Sequence, residues 1–474
     1  MSKTATTSKQ AMEQAWAELE QWGRDPELNE LDALMWRTER VPGASWTGVV
    51  VMLLDKTPDW ELLRKLYEWG TRAVPRMRER VVDQLVPVGR PMWAPDPEFA
   101  IENHLFRVTL PAPASVSDVL SWAQRIAVKP LDRARPPWRT FLVEGLEGGR
   151  AAWVMQCHHV LMDGGSATQL FSRVLALTPD LPRDVSWPEP PPTTGPGRVA
   201  VTRRQLARQA LASPGLARRA LKTAGDVVLR PGAAAAYAAS LGRVASPPPR
   251  SRSQVLRHGR RDAWRFGTLE CPLGELKAAG KAVGGTVNDA FVCAVLGGLR
   301  RYAAYFGENL DDVPISMPVS VRKEGEMGGN RFTGAFFAAP SGIADPVERM
   351  EAMRERVAAV RTEPALDFIN TVMPVLNRTP AAMATAAMTA LNNNAVLTTS
   401  SWPGVPHRVY VAGAELTHFF VFGPLPGTTM TAALCTHAGT CCIGVNVDGG
   451  VFADTDVLWE CLRAGLDEIL DLGR

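Results

Sequence analysis

One stretch, Gln156-Cys157-His158-His159-Val160-Leu161-Met162-Asp163-Gly164-Gly165, constrains this chain more than any other, because it has to turn a strand into a helix within a few residues. Upstream, Ala151 to His159 is apolar with a period of two. That sets Trp153, Met155, Cys157 and His159 on one face of a strand and Val154, Gln156 and His158 on the other. The two histidines are therefore expected to point opposite ways. Downstream, Gly164-Gly165 permits a tight turn, Ser166 is expected to cap a helix, and Leu170, Phe171, Val174 and Leu175 supply that helix with an apolar stripe. A histidine at a strand end, followed four residues later by Asp-Gly, is what a buried general base with a bracing carboxylate requires. Imidazole titrates near neutrality, and a fixed Asp holds the turn that aims it. The plainer alternative is a pair of core histidines beside an Asp-Gly turn.

The complete His-His-x-x-x-Asp-Gly string resembles the signature of the acyltransferase superfamily that contains chloramphenicol acetyltransferase, carnitine acyltransferases and nonribosomal condensation domains. From about Leu28 to the C-terminus the flanking sequence is similar to the bacterial wax ester synthase/acyl-CoA:diacylglycerol acyltransferase family. Leu31-Asp32-Ala33 resembles a segment common there, and Asp96-Pro97-Glu98-Phe99 with His104 matches the family's layout, His104 reading as structural. Pro130 to Trp138 resembles its Pro-Leu-Trp motif with Pro137 in place of Leu, and Asn288-Asp289 matches its Asn-Asp motif. Pro318 to Arg322, then Gly328-Gly329-Asn330, resembles its strand and glycine-asparagine turn. Two stretches depart. Ser45-Trp46-Thr47-Gly48 stands where many members show Met-His-Val before the glycine. Thr399-Ser400-Ser401-Trp402-Pro403-Gly404 stands where Ser-Asn-Val-Pro-Gly-Pro is common, with Val405 in place of the last Pro.

The resemblance implies an α/β fold of two chloramphenicol acetyltransferase-like sandwich domains, with an active-site tunnel at their interface. It implies His159 as general base, with His158 beside it in the motif and expected to matter chiefly for stability. Asp163 would brace the loop, Gly164 would leave room for pantetheine, and Asn288 and Asp289 would support the site. Ser400 or Ser401 would donate a hydrogen bond to the oxyanion. Trp138, Arg322, Asn330, Pro403 and Gly404 would line the tunnel. No cofactor is implied beyond acyl-CoA as co-substrate.

Over 474 residues, 46% of them hydrophobic, the chain can bury two domain cores. No apolar run reaches the length of a bilayer-spanning helix, and Met1 to Gln10 is polar, so a soluble cytoplasmic protein is the default expectation. Seven scattered cysteines suit reduced core thiols. Cys435, His437, Cys441 and Cys442 are close in sequence, but Ala433 to Val447 reads as two strands joined through His437-Ala438-Gly439-Thr440, and no C-x-x-C repeat argues for a metal.

Along the chain, Ser8 to Gly23 reads as an amphipathic extension helix, giving a first segment 1–24. Asp25-Pro26 reads as the start of a short helix, Trp46 to Leu54 as a strand and Thr57-Pro58 as a helix opening, within an N-terminal acyltransferase domain of 25–187. Residues 188–265 read as a crossover, proline-rich from Pro188 to Pro196 and then basic. Between Arg198 and Arg265 fifteen Lys/Arg face two acids, and since the whole chain carries only +3, the remainder is acidic. Such a segment, with Arg203, Arg204, Arg208, Arg218, Arg219 and Lys222, is expected either to be a solvated connection, to touch an anionic membrane or lipid body, or to attract a phosphate-bearing substrate. It lacks a groove-reading or base-stacking module for nucleic acid. A C-terminal domain follows over 266–474. In it Thr286 and Asp289 can form a capping pair for a helix through Tyr302, and Leu458 to Leu470 closes the chain as a helix.

No Gly-x-Ser-x-Gly elbow is present, and no cysteine sits in a nucleophile motif, which leaves direct transfer within a ternary complex. The leading expectation is transfer of a long acyl chain from CoA to diacylglycerol or a fatty alcohol. Acylation of a specialised metabolite, or a non-catalytic lipid-binding role, are the alternatives.

Overall fold

Period-two apolar runs become fourteen strands among the described residues of the computed structural model, which describes 18–41, 45–86, 89–180, 187–211, 239–240, 249–256, 263–320, 322, 325–363, 368–392, 394–452 and 454–474. The strands are β1 (Thr47–Leu54), β2 (Glu79–Val82), β3 (Met92–Pro95), β4 (Leu105–Ala114), β5 (Trp138–Leu146), β6 (Ala151–His158), β7 (Trp264–Pro272), β8 (Val313–Ser320), β9 (Phe332–Ala339), β10 (Leu397–Trp402), β11 (Tyr410–Val411), β12 (Ala414–Phe422), β13 (Met430–His437) and β14 (Thr440–Asp448). The helices are α1 (Glu30–Thr38), α2 (Trp60–Ala73), α3 (Val116–Ala127), α4 (Gly164–Val174), α5 (Leu273–Ala282), α6 (Val287–Tyr305), α7 (Pro346–Arg361), α8 (Phe368–Leu376), α9 (Ala381–Asn392) and α10 (Thr455–Leu470).

Two six-stranded mixed sheets form, ordered β11-β12-β1-β6-β5-β4 and β7-β14-β13-β10-β8-β9, with β2 and β3 pairing separately. One face of the first sheet packs Trp153 and Met155 with α2 and α4; the other packs Val154 and Phe141 with α3 and with Trp264 and Phe266 of β7. This is the alternation expected of Ala151 to His158. In the second sheet Leu269, Leu434 and Ile443 meet α6 and α10, whose Leu296, Leu299, Leu462 and Leu466 complete that core. No single helix among the described residues is long and apolar enough to cross a membrane. The bent pair α5 and α6 passes that test only jointly, and it lines this core.

The sheets do not divide where 188–265 divides the chain. Strands β11 and β12, from the second half, extend the first sheet, with Val49 opposite Phe422 and Met52 opposite Phe419. The reason lies in β12 itself: Phe419 enters the core on one face while Phe420 and Phe422 enter the core on the other, so the strand needs cover on both sides. Within the crossover, residues 198–211 are helical, and Val201 packs on Val82, Met92 and Ala94 of the small sheet. Arg218, Arg219 and Lys222 lie outside the described residues, as do residues 1–17 of the extension helix. What is described of that helix ends at Gly23 (φ +68°), with Leu19 and Trp22 fully buried.

Local chemistry explains most element ends. The pair Thr286 and Asp289 forms the expected capping box of α6, with Thr286 N donating to Asp289 Oδ2 at 2.8 Å. Ala438 and Gly439 take positive φ at the β13–β14 hairpin. Two starts fall elsewhere than expected. Pro26 opens no helix: Trp93 N donates to its carbonyl, and the helix begins after Asn29, whose Oδ1 accepts from Asp32 N at 2.8 Å. Likewise Asp59, two residues past Thr57, caps α2 through Leu62 N.

Candidate active site

β6 lies inside the first sheet between β1 and β5, and its end delivers His159 into a turn where His159 N donates to Trp46 O at 2.8 Å. The cap of the following helix is Asp163, not Ser166. Asp163 Oδ1 accepts from Ser166 N at 2.7 Å and Ser166 Oγ accepts from Asp163 N at 2.9 Å, because the shorter loop puts the carboxylate at the non-helical position.

A loop from the second half closes on this turn. Met162 bridges Gly329, and Arg322 Nη2 donates to both Asp163 oxygens at 2.7 and 2.9 Å, while Arg331 N donates to Asp163 Oδ2 at 2.9 Å. The same Arg322 donates to the carbonyls of Gly328 and Gly329. Asp163 thus ties α4 to the loop that carries Asn330, and all of its bonds are structural.

Asn330 is the residue that addresses His159. Its Nδ2 donates to His159 O at 2.7 Å and also to Asp32 Oδ1, so its Oδ1 has to be the acceptor for His159 Nδ1, 2.9 Å away. A carbonyl oxygen cannot donate; His159 Nδ1 therefore carries the proton and Nε2 is left with its lone pair. Burial lowers the His159 pKa, with the Asp163 charge and the Asn330 bond opposing, which favours the neutral imidazole that a base must be. The ring meets Phe332 edge to face, centroids 5.8 Å apart.

Asp32, within the Leu31-Asp32-Ala33 segment, is the member of this constellation to which the sequence assigns no site role. Burial pushes its carboxyl up to about 8, against the Asn330 hydrogen bond, so it is protonated at neutral pH. Its sequence signal is a lone acid between Leu31, Ala33 and Leu34, apolar neighbours that predict burial and hence a partner. Asn29 completes the attachment, its Nδ2 donating to Asn330 O at 2.9 Å.

His158 faces away from this cluster. It is 1% exposed, its Nδ1 accepts from Val160 N at 2.9 Å, and its Nε2 lies 2.9 Å from Glu39 Oε2. Burial works to raise the Glu39 pKa, but bonds from His158, Trp46 N and Thr47 Oγ1 outweigh it and hold the carboxyl at about 2. Ser45, Trp46 and Thr47, the stretch that departs from Met-His-Val, all spend polar groups on Glu39.

The other expected site residues sort differently. Gly164 packs against Trp402: a Cβ there would lie 2.7 Å from the indole. Pro403 O accepts from Thr168 Oγ1 on α4, and a Cβ on Gly404 would lie 2.1 Å from Thr436 O, so both seat β10 against its neighbours. Ser400 is half-buried and Ser401 exposed on β10. Asn288 rests against Met317 Sδ, and Asp289 closes the α6 cap. Trp138 is a core side chain rather than a tunnel wall. As the first residue of β5 its indole turns inward, donating to Met77 O at 2.8 Å and lying 4.5 Å from the His104 ring. His104, whose Nδ1 meets Trp138 O at 2.8 Å, is structural.

The thiol nearest to the cluster in sequence is that of Cys157. Burial raises the Cys157 thiol, two residues from His159, to about 12, which disfavours its thiolate. Both ring nitrogens of His437 face backbone carbonyls, those of Val405 and Leu416, and no described group of three His, Cys, Asp or Glu is placed to hold an ion.

Residues 28–291 match the family model described as the wax ester synthase/diacylglycerol acyltransferase catalytic domain, and 328–470 match that of the WS/DGAT C-terminal domain. A putative diacylglycerol O-acyltransferase of Mycobacterium tuberculosis is 35% identical over 463 residues, 94% of this chain and 92% of that protein. A second of the same description and organism is 31% identical over 338 residues, 69% of this chain and 70% of that protein. Among solved structures, the wax ester synthase/diacylglycerol acyltransferase from Marinobacter aquaeolei superposes with a TM-score of 0.63 at 20% identity, covering 94% of this chain and 100% of that one. The first condensation domain of the CDA synthetase superposes with a TM-score of 0.60 at 15% identity, covering 94% and 96%.

Proposed function

The chain belongs to the wax ester synthase/diacylglycerol acyltransferase family and is an acyltransferase, and from that premise we propose that it carries a long acyl group from coenzyme A directly to a lipid hydroxyl, that of diacylglycerol or a fatty alcohol, with His159 as the base. His159 Nε2 takes the proton of the acceptor hydroxyl as its oxygen attacks the thioester carbonyl. The C–S bond then breaks, and the imidazolium returns the proton to the departing thiolate. The observation that carries this reading is Asn330, whose Oδ1 accepts the hydrogen bond from His159 Nδ1–H and so leaves Nε2 as the bare nitrogen. Burial raises the Cys157 thiol, which disfavours its thiolate and is consistent with transfer without an acyl-enzyme.

The basic crossover supports a lipid-surface setting for this chemistry, at an anionic membrane or lipid body. On the helical stretch 198–211, Val199, Leu206 and Leu211 are 61%, 48% and 82% exposed beside exposed Arg203 and Arg204. Apolar side chains interleaved with cations are what an interfacial helix presents to anionic headgroups.

Purified protein incubated with palmitoyl-CoA and a panel of diacylglycerol, fatty alcohols and small hydroxylated metabolites, read by mass spectrometry, tests the reaction. Ester is expected with the lipid acceptors and is expected to vanish in His159→Ala. Full turnover by that variant, or a burst of CoA with an acylated Ser or Cys found by peptide mapping, rules out the direct mechanism.

A further inference from the structure

An apolar cavity of about 120 Å³, partly open to solvent, lies between the first sheet and the helices on its catalytic face, with Tyr410 and Val411 of β11 also lining it. Leu66 and Gly70 of α2, Trp153 and Met155 of β6, and Leu170 and Val174 of α4 form its walls. The Tyr67 and Trp153 polar atoms in its walls are engaged: the Tyr67 hydroxyl donates to Thr140 Oγ1 at 3.0 Å and accepts from Trp153 Nε1 at 2.6 Å. Walls of this kind offer water no hydrogen-bond partners and favour an apolar occupant.

The position of the cavity identifies the occupant. β6 runs into His159 and α4 runs out of Asp163, so two of its walls are the two arms of the catalytic turn. Met155 shares the strand face of His159, four residues before it, which at ~3.4 Å per residue sets the cavity about 14 Å from the base. A group that has its carbonyl at His159 and reaches this far without meeting a polar partner is a long alkyl chain. We propose that the cavity receives the distal methylenes of the acyl group and that Gly70 sets the chain length accepted. This rests on the acyl-transfer reading above.

Gly70 makes the inference testable. A Cβ built on it meets nothing within 4 Å, and its place inside α2 suits any good helix former. Gly70→Leu should therefore fold, as a thermal melt will show, and place its side chain in the cavity. The readout is the ratio of kcat/KM for palmitoyl-CoA to that for octanoyl-CoA, whose chain ends short of the cavity. The ratio is expected to fall about a hundredfold, which at ~1.4 kcal/mol per tenfold is the transfer energy of three to four methylenes. A ratio unchanged from wild type in a folded Gly70→Leu protein overturns the proposal. Calorimetric binding of the same two thioesters separates this from the reaction itself. If wild type turns over no acyl-CoA, the acyl-transfer reading fails, and the pocket still stands or falls on whether Gly70→Leu removes the binding advantage of palmitoyl-CoA.

Discussion

His159 is a base because of what surrounds its other nitrogen. Asn330 reads two acceptors with its amide group and so has only its oxygen left for Nδ1. Asn330→Ala is expected to lower kcat within the ~10²- to 10⁴-fold range that general-base help supplies, leaving KM for acyl-CoA nearly unchanged, in steady-state kinetics of a variant whose melting curve shows it folded. Because burial lowers the His159 pKa, the acid limb of the wild-type kcat profile should fall below the ordinary imidazole value of 6.5. Asp32 supplies a second pH effect of opposite origin. Its folded pKa of about 8 lies above its ordinary 3.8, so between those values the folded state binds more protons than the unfolded chain, and stability falls as pH rises through the window. Asp32→Asn keeps the acceptor for Asn330 and removes the titration. Thermal melts of this variant should lose part of the decline that wild type shows from pH 5 to 8, and identical slopes in the two proteins would contradict a protonated Asp32.

At the scale of elements, the catalytic turn is held by contacts that cross from one half to the other. α4 begins at Gly164 because Asp163 caps it, and the flat indole of Trp402 from β10 lies on that glycine. Gly164→Ala drives a Cβ into the indole and should cost about 1–3 kcal/mol of stability, the usual penalty for overpacking. Trp402→Phe, which offers a smaller ring, should recover part of that cost, so a double-mutant cycle in denaturant is expected to show coupling rather than additivity. Had Gly164 been kept open for the substrate arm alone, the two changes would add.

Across the whole molecule, charge is uneven: the crossover is strongly basic while the remainder is acidic. Arg208 is drawn to the buried Glu27 and serves the fold, whereas Arg203 and Arg204 are exposed with no described partner. Each exposed Arg near an anionic leaflet is worth about 1 kcal/mol, screened within ~8 Å at physiological salt. Arg203→Glu with Arg204→Glu should therefore weaken co-sedimentation with anionic vesicles at least about tenfold. Turnover of a short soluble acceptor should hold. Unchanged sedimentation makes the helix a solvated connection, and a salt-sensitive rate without vesicles points to steering of the CoA phosphates instead.

What depends on near neighbours is legible in the order of residues alone. Alternation from Ala151 to His158 set the two histidines on different sides, the Thr286 and Asp289 pair set the start of α6, and turn residues at Ala438-Gly439 set a hairpin. These follow from periods of two and 3.6 and from hydrogen bonds spanning three residues. Only the tertiary structure decided that Asp32, His159 and Asn330 form one network, that Arg322 closes on Asp163, and that Trp402 fills the space above Gly164. It also decided that β12 completes the first sheet. Asp32 and Asn330 are 298 positions apart, and Arg322 and Asp163 are 159 apart. No local period carries information over such separations; the partners are chosen when two cores pack and every buried polar group has to find a donor or an acceptor.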